Sequence, residues 1–450
     1  MGVVTIRQMT DELNDVLSGL LLQLIITTAK KTGCILFNAG VLFKSSLEGL
    51  LMNKSIEEPT SRLNNWRLPG MVLATLLTAT SVAHAGATFK IDDTKWVSVG
   101  AGLRSSFSAK ENAAPNGTDY SNNFNLDNIR LYINGQIHKY IKVEFNTDCQ
   151  TCGNGGEVRV LDAIGKFEIN PYANLWVGRM LVPAERREMN GPFYSAIYNV
   201  FANGTPFEPA DQNLTVKSDG TSAGSYGRDD GATFWGAAAS GRLQYAFGFF
   251  RGLRYGANNN GNVLFAQRVA YNFLEVEKNP GYYTSGTYYG TGGDILTVGL
   301  SNIYQEQGVG TVANPGNFRG TSADVLFEKV LPGNGVVTLN GEYKNYGVDG
   351  NKLPIPTAPG GAGSGTFGLF QGNAYDVSAM YLFPQKIGIG KIQPYGRYVD
   401  NIGNHVSHQD VFEGGMNYVI DGHNARVSLS YQRYLAAELN GMTLGFQWQI

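Results

Sequence analysis

The stretch Leu126–Asn134 reads LDNIRLYIN, and its apolar and polar residues alternate. Ile129, Leu131 and Ile133 share one face of an extended chain, while the residues between and around them share the other. A period of two is that of a β-strand, because successive side chains point to opposite faces. The stretch therefore predicts a strand with one apolar and one polar face.

The same alternation recurs along the chain, for example at residues 141–146 and 426–432. Between Trp96 and Ile450 we count about sixteen such segments, many near the roughly ten residues that a tilted transmembrane strand needs. A soluble β-sandwich also alternates, but a membrane barrel turns its apolar face to lipid and its polar face to a wet lumen. Residues 442–450 alternate to the last position, as expected for a strand that closes a barrel against the first. The pattern favours a single transmembrane antiparallel β-barrel.

The connections between these segments alternate in length, which is typical of barrels with short turns at one end and long loops at the other. The short turns are at residues 137–139, 170–172, 332–335 and 421–424, and the longer links are at residues 111–123, 255–262 and 349–365. Residues 275–293 do not fit, because they are long where a short turn is expected. An extra hairpin there would change the strand number.

The longest link runs from Glu185 to Asp230. Loops of this length are uncommon in compact domains and are often functional. In a barrel of this size we expect the link to fold inward and narrow the lumen. The alternative is a flap on the outside.

The composition is compatible with this fold class. The chain of 450 residues contains 58 Gly, with 12% aromatic and only 16% charged residues, whereas soluble domains carry about a quarter charged residues. Glycine suits short turns, and Tyr and Phe suit the aromatic girdles at the two membrane interfaces. Composition alone leaves an array of soluble β-sandwiches open.

A secretory signal precedes the alternating part of the chain. Residues 71–86 read MVLATLLTATSVAHAG, an apolar run ending in the small-residue sequence Ala83-His84-Ala85, and Arg62 and Arg67 lie upstream. A basic region, a short apolar run and an A-x-A site are the three parts of a cleaved signal peptide. We therefore expect the mature chain to begin at Gly86.

The encoded chain is expected to have three parts: an extension at residues 1–51, a signal peptide at residues 52–85 and a barrel at residues 86–450. The extension either forms a short helix near residues 17–28 or is an artefact of the assigned start, with translation beginning at Met52. No long hydrophobic helix follows the signal peptide, and a membrane-spanning chain without such helices has only the closed barrel left. The expected location is the outer membrane of a Gram-negative bacterium.

Two runs resemble the phosphate-selective porin O and P family: NLDNIRLYINGQIHKYIKVEFNTD (residues 125–148) and VLDAIGKFEINPYANLWVGRMLVPAERREMNGPFY (residues 160–194). The matching elements are a strand ending in an N-G turn region, an LDA strand and a VGR…P strand that enters the long link. A third run, GRDDGATFWGAAASGRLQYAFGFF (residues 227–250), resembles the barrel half of the cytochrome–porin fusions of iron-oxidising bacteria. Together the resemblance covers nearly all of the mature chain, more strongly before Asn272. It implies an outer-membrane pore and, for the first family, a trimer.

Two departures limit what the resemblance implies. Members of the first family line their channels with many Arg and Lys residues, whereas this chain has a net charge of −2. The fusions begin with C-x-x-C-H for covalent haem, whereas Cys149 and Cys152 are followed by Gly153. Neither covalent haem nor any other cofactor is expected.

The two cysteines lie between predicted strands, so no helix N-terminus is present to lower a thiol pKa as in redox motifs. A zinc site needs four ligands, and the sequence offers no second Cys pair. We expect a disulfide between Cys149 and Cys152 that tightens an exposed loop. Cys34 belongs to the leader.

Strand alternation places charged residues on the polar inner face of the barrel. The inward candidates are Arg130, Lys142, Glu144, Asp162, Lys166, Glu168, Arg268, Glu342, Lys344 and Arg426. Mixed signs either create a field across the lumen or pair with each other, and we favour pairing. The candidates for a constriction, at the two roots of the longest link, are Arg179, Arg186, Arg187, Arg228, Asp229 and Asp230. The alternative for the last three is a structural salt-bridge hinge.

The expected function is passive diffusion of small hydrophilic solutes or ions. A mild anion preference is expected because Arg179, Arg186 and Arg187 would form a positive cluster. The alternatives are a barrel that works with a separate cytochrome in extracellular electron transfer, and a structural surface barrel. No enzyme is expected. The sequence contains five His and three Cys but no G-x-S-x-G motif, so it offers no arrangement of a nucleophile and a base. The expected partners are outer-membrane lipid, small anions or hydrophilic solutes and further copies in a homotrimer, not nucleic acid.

Overall fold

The computed structural model describes residues 86–150, 158–200, 227–252, 258–310, 315–350, 372–403 and 408–450. These residues form antiparallel strands and one short helix. The elements are β1 (Ala87–Lys90), β2 (Trp96–Lys110), β3 (Asn123–His138), β4 (Ile141–Gln150), β5 (Arg159–Asn170), β6 (Ala173–Leu181), α1 (Arg186–Tyr194), β7 (Arg228–Ala238), β8 (Leu243–Phe250), β9 (Leu264–Asn272), β10 (Ile295–Gly310), β11 (Pro315–Val330), β12 (Val336–Gly350), β13 (Gly372–Leu382), β14 (Lys386–Ile387), β15 (Gly390–Gly403), β16 (Gln409–Asp421), β17 (Ala425–Tyr434) and β18 (Leu439–Gln449).

Sixteen of these described strands, all except the short β1 and β14, close into one barrel. Each barrel strand pairs with the next one along the chain, and β18 returns to pair with β2 from Gly441↔Lys110 to Gln449↔Gly102. Closure pairs both edges of every barrel strand, which removes the exposed edge that an open sheet would carry. The prediction of a single antiparallel barrel of about sixteen strands is confirmed.

The two faces of the barrel wall have opposite character. In β10, the outward residues Leu300 and Val298 are 61% and 37% exposed, whereas the inward residues Thr297 and Ser301 are 1% and 6% exposed. Soluble proteins show the reverse, with apolar side chains buried and polar ones outside. An apolar exterior around a polar interior is the arrangement of an outer-membrane barrel, because the exterior faces lipid.

The two ends of the barrel differ in their connections. At the short-turn end, strands are joined by residues such as 139–140, 171–172 and 422–424, while the long-loop end carries longer connections, of which residues 111–122 and 182–200 are described. The exception at the short-turn end is the connection from 273 to 294, which is described throughout and contains no strand. No extra hairpin forms there, and the strand number stays at sixteen.

Several expectations fall on residues that the structure does not describe. The proposed extension at residues 1–51 and signal peptide at residues 52–85 lie outside the described ranges, as do Cys34 and Cys152. Cys149 is disulfide-bonded, and its pairing with Cys152 stays a prediction. Within the described ranges, no helix is both long enough and apolar enough to cross a membrane.

Candidate functional site

The lumen contains the described first part of the longest link, residues 182–200, which we call the inward loop. Helix α1 lies in it, and the charged residues Arg186, Arg187 and Glu188 on this helix are all buried. The helix is kinked at Gly191, which has φ 58° and precedes Pro192. A positive φ suits glycine, and proline has no N–H to continue a helix, so these two residues explain the kink.

Beyond the kink, the inward loop runs as irregular chain, and its carbonyls accept hydrogen bonds from side chains of the barrel wall. The bonds are Gln447 Nε2 to Phe193 O (2.8 Å), Arg426 Nη1 to Ser195 O (2.7 Å), Asn417 Nδ2 to Ala196 O (2.8 Å), Arg104 Nη2 to Tyr198 O, and Arg397 to Asn199 O (2.7 Å) and Val200 O (2.6 Å). Buried backbone carbonyls require such partners. The polar face of five strands therefore holds this irregular segment in place.

The second segment inside the barrel enters from the opposite end. It is the connection 273–294, which we call the insert. Its Glu277 carboxylate receives two hydrogen bonds from Arg186 of α1, at 2.7 and 2.6 Å, and Tyr288 Oη donates to the same carboxylate at 2.7 Å. Thr284 Oγ1 donates to Arg186 O at 2.7 Å, so the insert and the inward loop contact each other directly.

The two arginines of α1 are held by acidic side chains. Arg186 pairs with Glu277 and lies 3.5 Å from Asp324, which also pairs with Arg268. Arg187 pairs with Asp376 and Glu342 of the barrel wall. Their charges are therefore balanced locally.

Burial and pairing act in opposite directions on the Arg186–Glu277 pair. Burial raises the pKa of Glu277, but the Arg186 guanidinium and its hydrogen bonds outweigh this effect and lower the pKa to about 2. Burial lowers the pKa of Arg186. The negative charges of Glu277 and, next, Asp324 outweigh this effect, so the pKa of Arg186 is raised. Both groups therefore stay charged across the physiological pH range.

The positive cluster expected at the constriction is not formed. Arg186 and Arg187 are in ion pairs, and Arg179 is on the outer face of β6, where it lies 3.5 Å from Asp230. Trp176 of the same strand is fully buried inside the barrel, and a residue three positions further along a strand points to the opposite face. The placement of Arg179 in the constriction is therefore wrong.

The other predicted residues are distributed as follows. Ion pairs on the inner face join Arg130 to Asp148, Lys142 to Glu168, Lys166 to Glu144, Arg228 to Asp162, and Lys344 to Glu185. Asp229 is buried and accepts the N–H groups of Gly252 and Asp230 at 2.6 and 2.8 Å. Asp230 pairs on the outer face with Arg251 as well as Arg179.

Two basic residues of the inner face differ from the rest. Arg104 and Arg426 are 5% and 1% exposed, and within the described ranges neither forms an ion pair with a carboxylate. They flank Gln447, since Gln447 is opposite Arg426 on β17 and opposite Arg104 on β2. The Nε atoms of both guanidiniums lack a hydrogen-bond partner among the described residues. Among the described residues, this part of the wall therefore carries two neighbouring guanidiniums without a carboxylate in an ion pair.

Both segments lie inside the barrel, against inward side chains of its wall. Every barrel strand has at least one inward side chain that is less than a tenth exposed, from Arg104 on β2 to Gln447 on β18. One cavity, of about 30 Å³, lies between α1 and the wall and is lined by Arg187, Asn190 and Arg397 among others. This volume suits about one water molecule.

Sequence reasoning missed several residues of the site. Arg104, Asp324, Asp376 and Arg397 follow the strand alternation, so their inward direction was available from the pattern. Glu277 lies in a segment without periodicity, and no local signal connects it to Arg186. Within the described ranges, no three or more His, Cys, Asp or Glu residues are placed to hold a metal ion.

No family model and no curated protein matches the sequence. Among solved structures, the chain is similar to an anion-selective porin from Comamonas acidovorans, at 12% identity over 79% of this chain and 100% of that one, with a TM-score of 0.49. It is also similar to OmpT of Vibrio cholerae, at 13% identity over 81% of this chain and 100% of that one, with a TM-score of 0.48. A third similar structure is OmpF of Salmonella typhi, at 10% identity over 81% of this chain and 100% of that one, with a TM-score of 0.47. The strand pairing, rather than these values, defines the barrel.

Proposed function

We propose that the chain is an outer-membrane pore for passive diffusion of small hydrophilic solutes or ions, with a mild preference for anions. The observation that carries the proposal is the neighbouring pair Arg104 and Arg426, which form no ion pair among the described residues, on the inner wall of a barrel with an apolar exterior. Guanidinium groups stay charged at physiological pH and match phosphate and carboxylate oxygens. We also propose that the chain forms a homotrimer in outer-membrane lipid, as its resemblance to phosphate-selective porins implies.

The anion preference should depend on these two charges and on salt. Replacing both with Gln (R104Q/R426Q) should shift the reversal potential in a salt gradient toward cations. Attraction of about 1 kcal/mol at about 4 Å in water corresponds to about a fivefold change in the anion-to-cation permeability ratio. The change should shrink as salt rises, because screening shortens the reach of each charge.

The matched control is R104K/R426K, which keeps both charges and should keep the anion preference. R179A removes an arginine from the outer face and should leave the reversal potential unchanged. If R104Q/R426Q and the wild type have the same reversal potential, the selectivity does not depend on Arg104 and Arg426.

The presence of two segments inside the barrel favours one alternative, a structural surface barrel. Single-channel recording separates the two functions, because a structural barrel would show no conductance under any condition. A pore would open in steps of defined size.

We also propose that the chain is exported by a signal peptide cleaved after Ala85. Mass spectrometry of the outer-membrane fraction should then find a mature N-terminus at Gly86. A variant with Ala83 and Ala85 replaced by bulky residues should keep its leader, because the cleavage site needs small side chains. Peptides from residues 1–51 in the mature protein would contradict the proposal.

A further inference from the structure

The insert differs from the other connections at the short-turn end in both length and position. It runs from 273 to 294, and its residues Glu277, Tyr282, Ser285 and Thr287 are buried inside the barrel. The strands that flank it pair directly, with Asn272 opposite Thr297. The barrel wall is therefore complete without the insert, whose two ends lie side by side.

The insert is held to the wall by side chains and not by a strand ladder. Glu328 of β11 accepts hydrogen bonds from Thr287 Oγ1 (2.7 Å), Tyr288 N (3.0 Å) and Gly290 N (2.8 Å). Asn340 of β12 donates to Gly286 O at 2.9 Å. None of these contacts belongs to the pairing between barrel strands.

Contacts with the inward loop hold the insert from the other side. Glu277 forms a bidentate pair with Arg186, and Gly286 N donates to Tyr194 O at 2.9 Å. Both side chains of this pair are at most 2% exposed. A buried ion pair holds its two segments together strongly, because removal of one partner leaves an uncompensated charge.

We propose that the insert is a gate that closes the lumen from the short-turn end, with the Glu277–Arg186 pair as its latch. This inference rests on the proposed pore function. When the insert withdraws about its paired base, the lumen opens beside the inward loop. Arg186 then keeps only Asp324, which it shares with Arg268. The open lumen therefore gains one positive charge, which Glu277 balances when the gate is closed.

A disulfide between the insert and the wall tests the movement in the full-length protein. Thr287 Oγ1 and Thr338 Oγ1 are 3.4 Å apart, so T287C/T338C places two thiols close enough to be joined by oxidation. We expect the oxidised variant to lose its conductance and to regain it when a reductant is added. The single variants T287C and T338C should conduct in both conditions. The wild type controls for the effect of reductant on the native disulfide at Cys149.

A second variant tests the latch. E277Q removes the charge that holds Arg186 and should increase the fraction of time that the pore is open. E275Q is the matched control, because Glu275 is on the same insert but its side chain is exposed. Two results would contradict the gate but not the pore function. One is that oxidised T287C/T338C conducts like its reduced form, and the other is that E277Q is open for the same fraction of time as E275Q. If a variant in which a short turn replaces residues 274–293 also shows no conductance, the pore function itself fails.

Discussion

Replacing Arg186 with Ala is expected to release the inward loop from the barrel wall. The substitution leaves the buried Glu277 without its guanidinium partner and removes one of the two arginines around Asp324. Removing one partner of a buried ion pair costs about 3–5 kcal/mol, because the other charge stays buried and uncompensated. The free energy of local opening of α1 should therefore fall by about 3–5 kcal/mol, and hydrogen exchange of the α1 amides should become faster accordingly.

The Arg179→Ala variant is the control for this experiment. Arg179 also pairs with an aspartate, but the two side chains are 24% and 43% exposed. Exposed ion pairs contribute about 0–1 kcal/mol. Unchanged α1 exchange in the Arg186 variant would mean that the carbonyl contacts beyond the kink, and not the ion pair, hold the loop.

Replacing Gly178 with Ala should prevent correct pairing of β5 and β6. Gly178 has φ +131°, and a Cβ at this position would lie 2.0 Å from the carbonyl oxygen of Ala163. A side chain there meets backbone that the barrel ladder holds in place, so the strands must separate or shift register. We expect a loss of about 3 kcal/mol or more, since backbone strain and a steric clash act together.

The measurement is the folded fraction, read as the heat-modifiable band on cold gels and as the unfolding midpoint in denaturant. The matched control is Gly396→Ala on β15, where a Cβ would meet no atom within 4 Å. That variant should fold like the wild type. A Gly178 variant with wild-type midpoint would show that β6 relaxes easily at this position.

The alternating pattern of the sequence is enough to predict the barrel. Ile129, Leu131 and Ile133 on one face and Arg130 on the other predict a strand between lipid and lumen, and the same argument repeated along the chain predicts about sixteen strands. Alternation is a local property, because each residue's face depends only on its position along its own strand. The same rule explains the error at Arg179. Its odd spacing from Trp176 places it on the outer face, although it lies close in sequence to the long link.

The contents of the lumen were decided only by the tertiary structure. Arg186 and Glu277 are 91 residues apart in the sequence, and neither the inward loop nor the insert has a strand period. Their meeting depends on barrel closure, which brings the long-loop and short-turn connections into one enclosed space. Once charged groups are enclosed together, the cost of burying an unpaired charge selects the arrangement in which they pair. The sequence by itself determined the wall of this protein, and the packing of two irregular segments inside the closed wall determined which of its described charges form ion pairs.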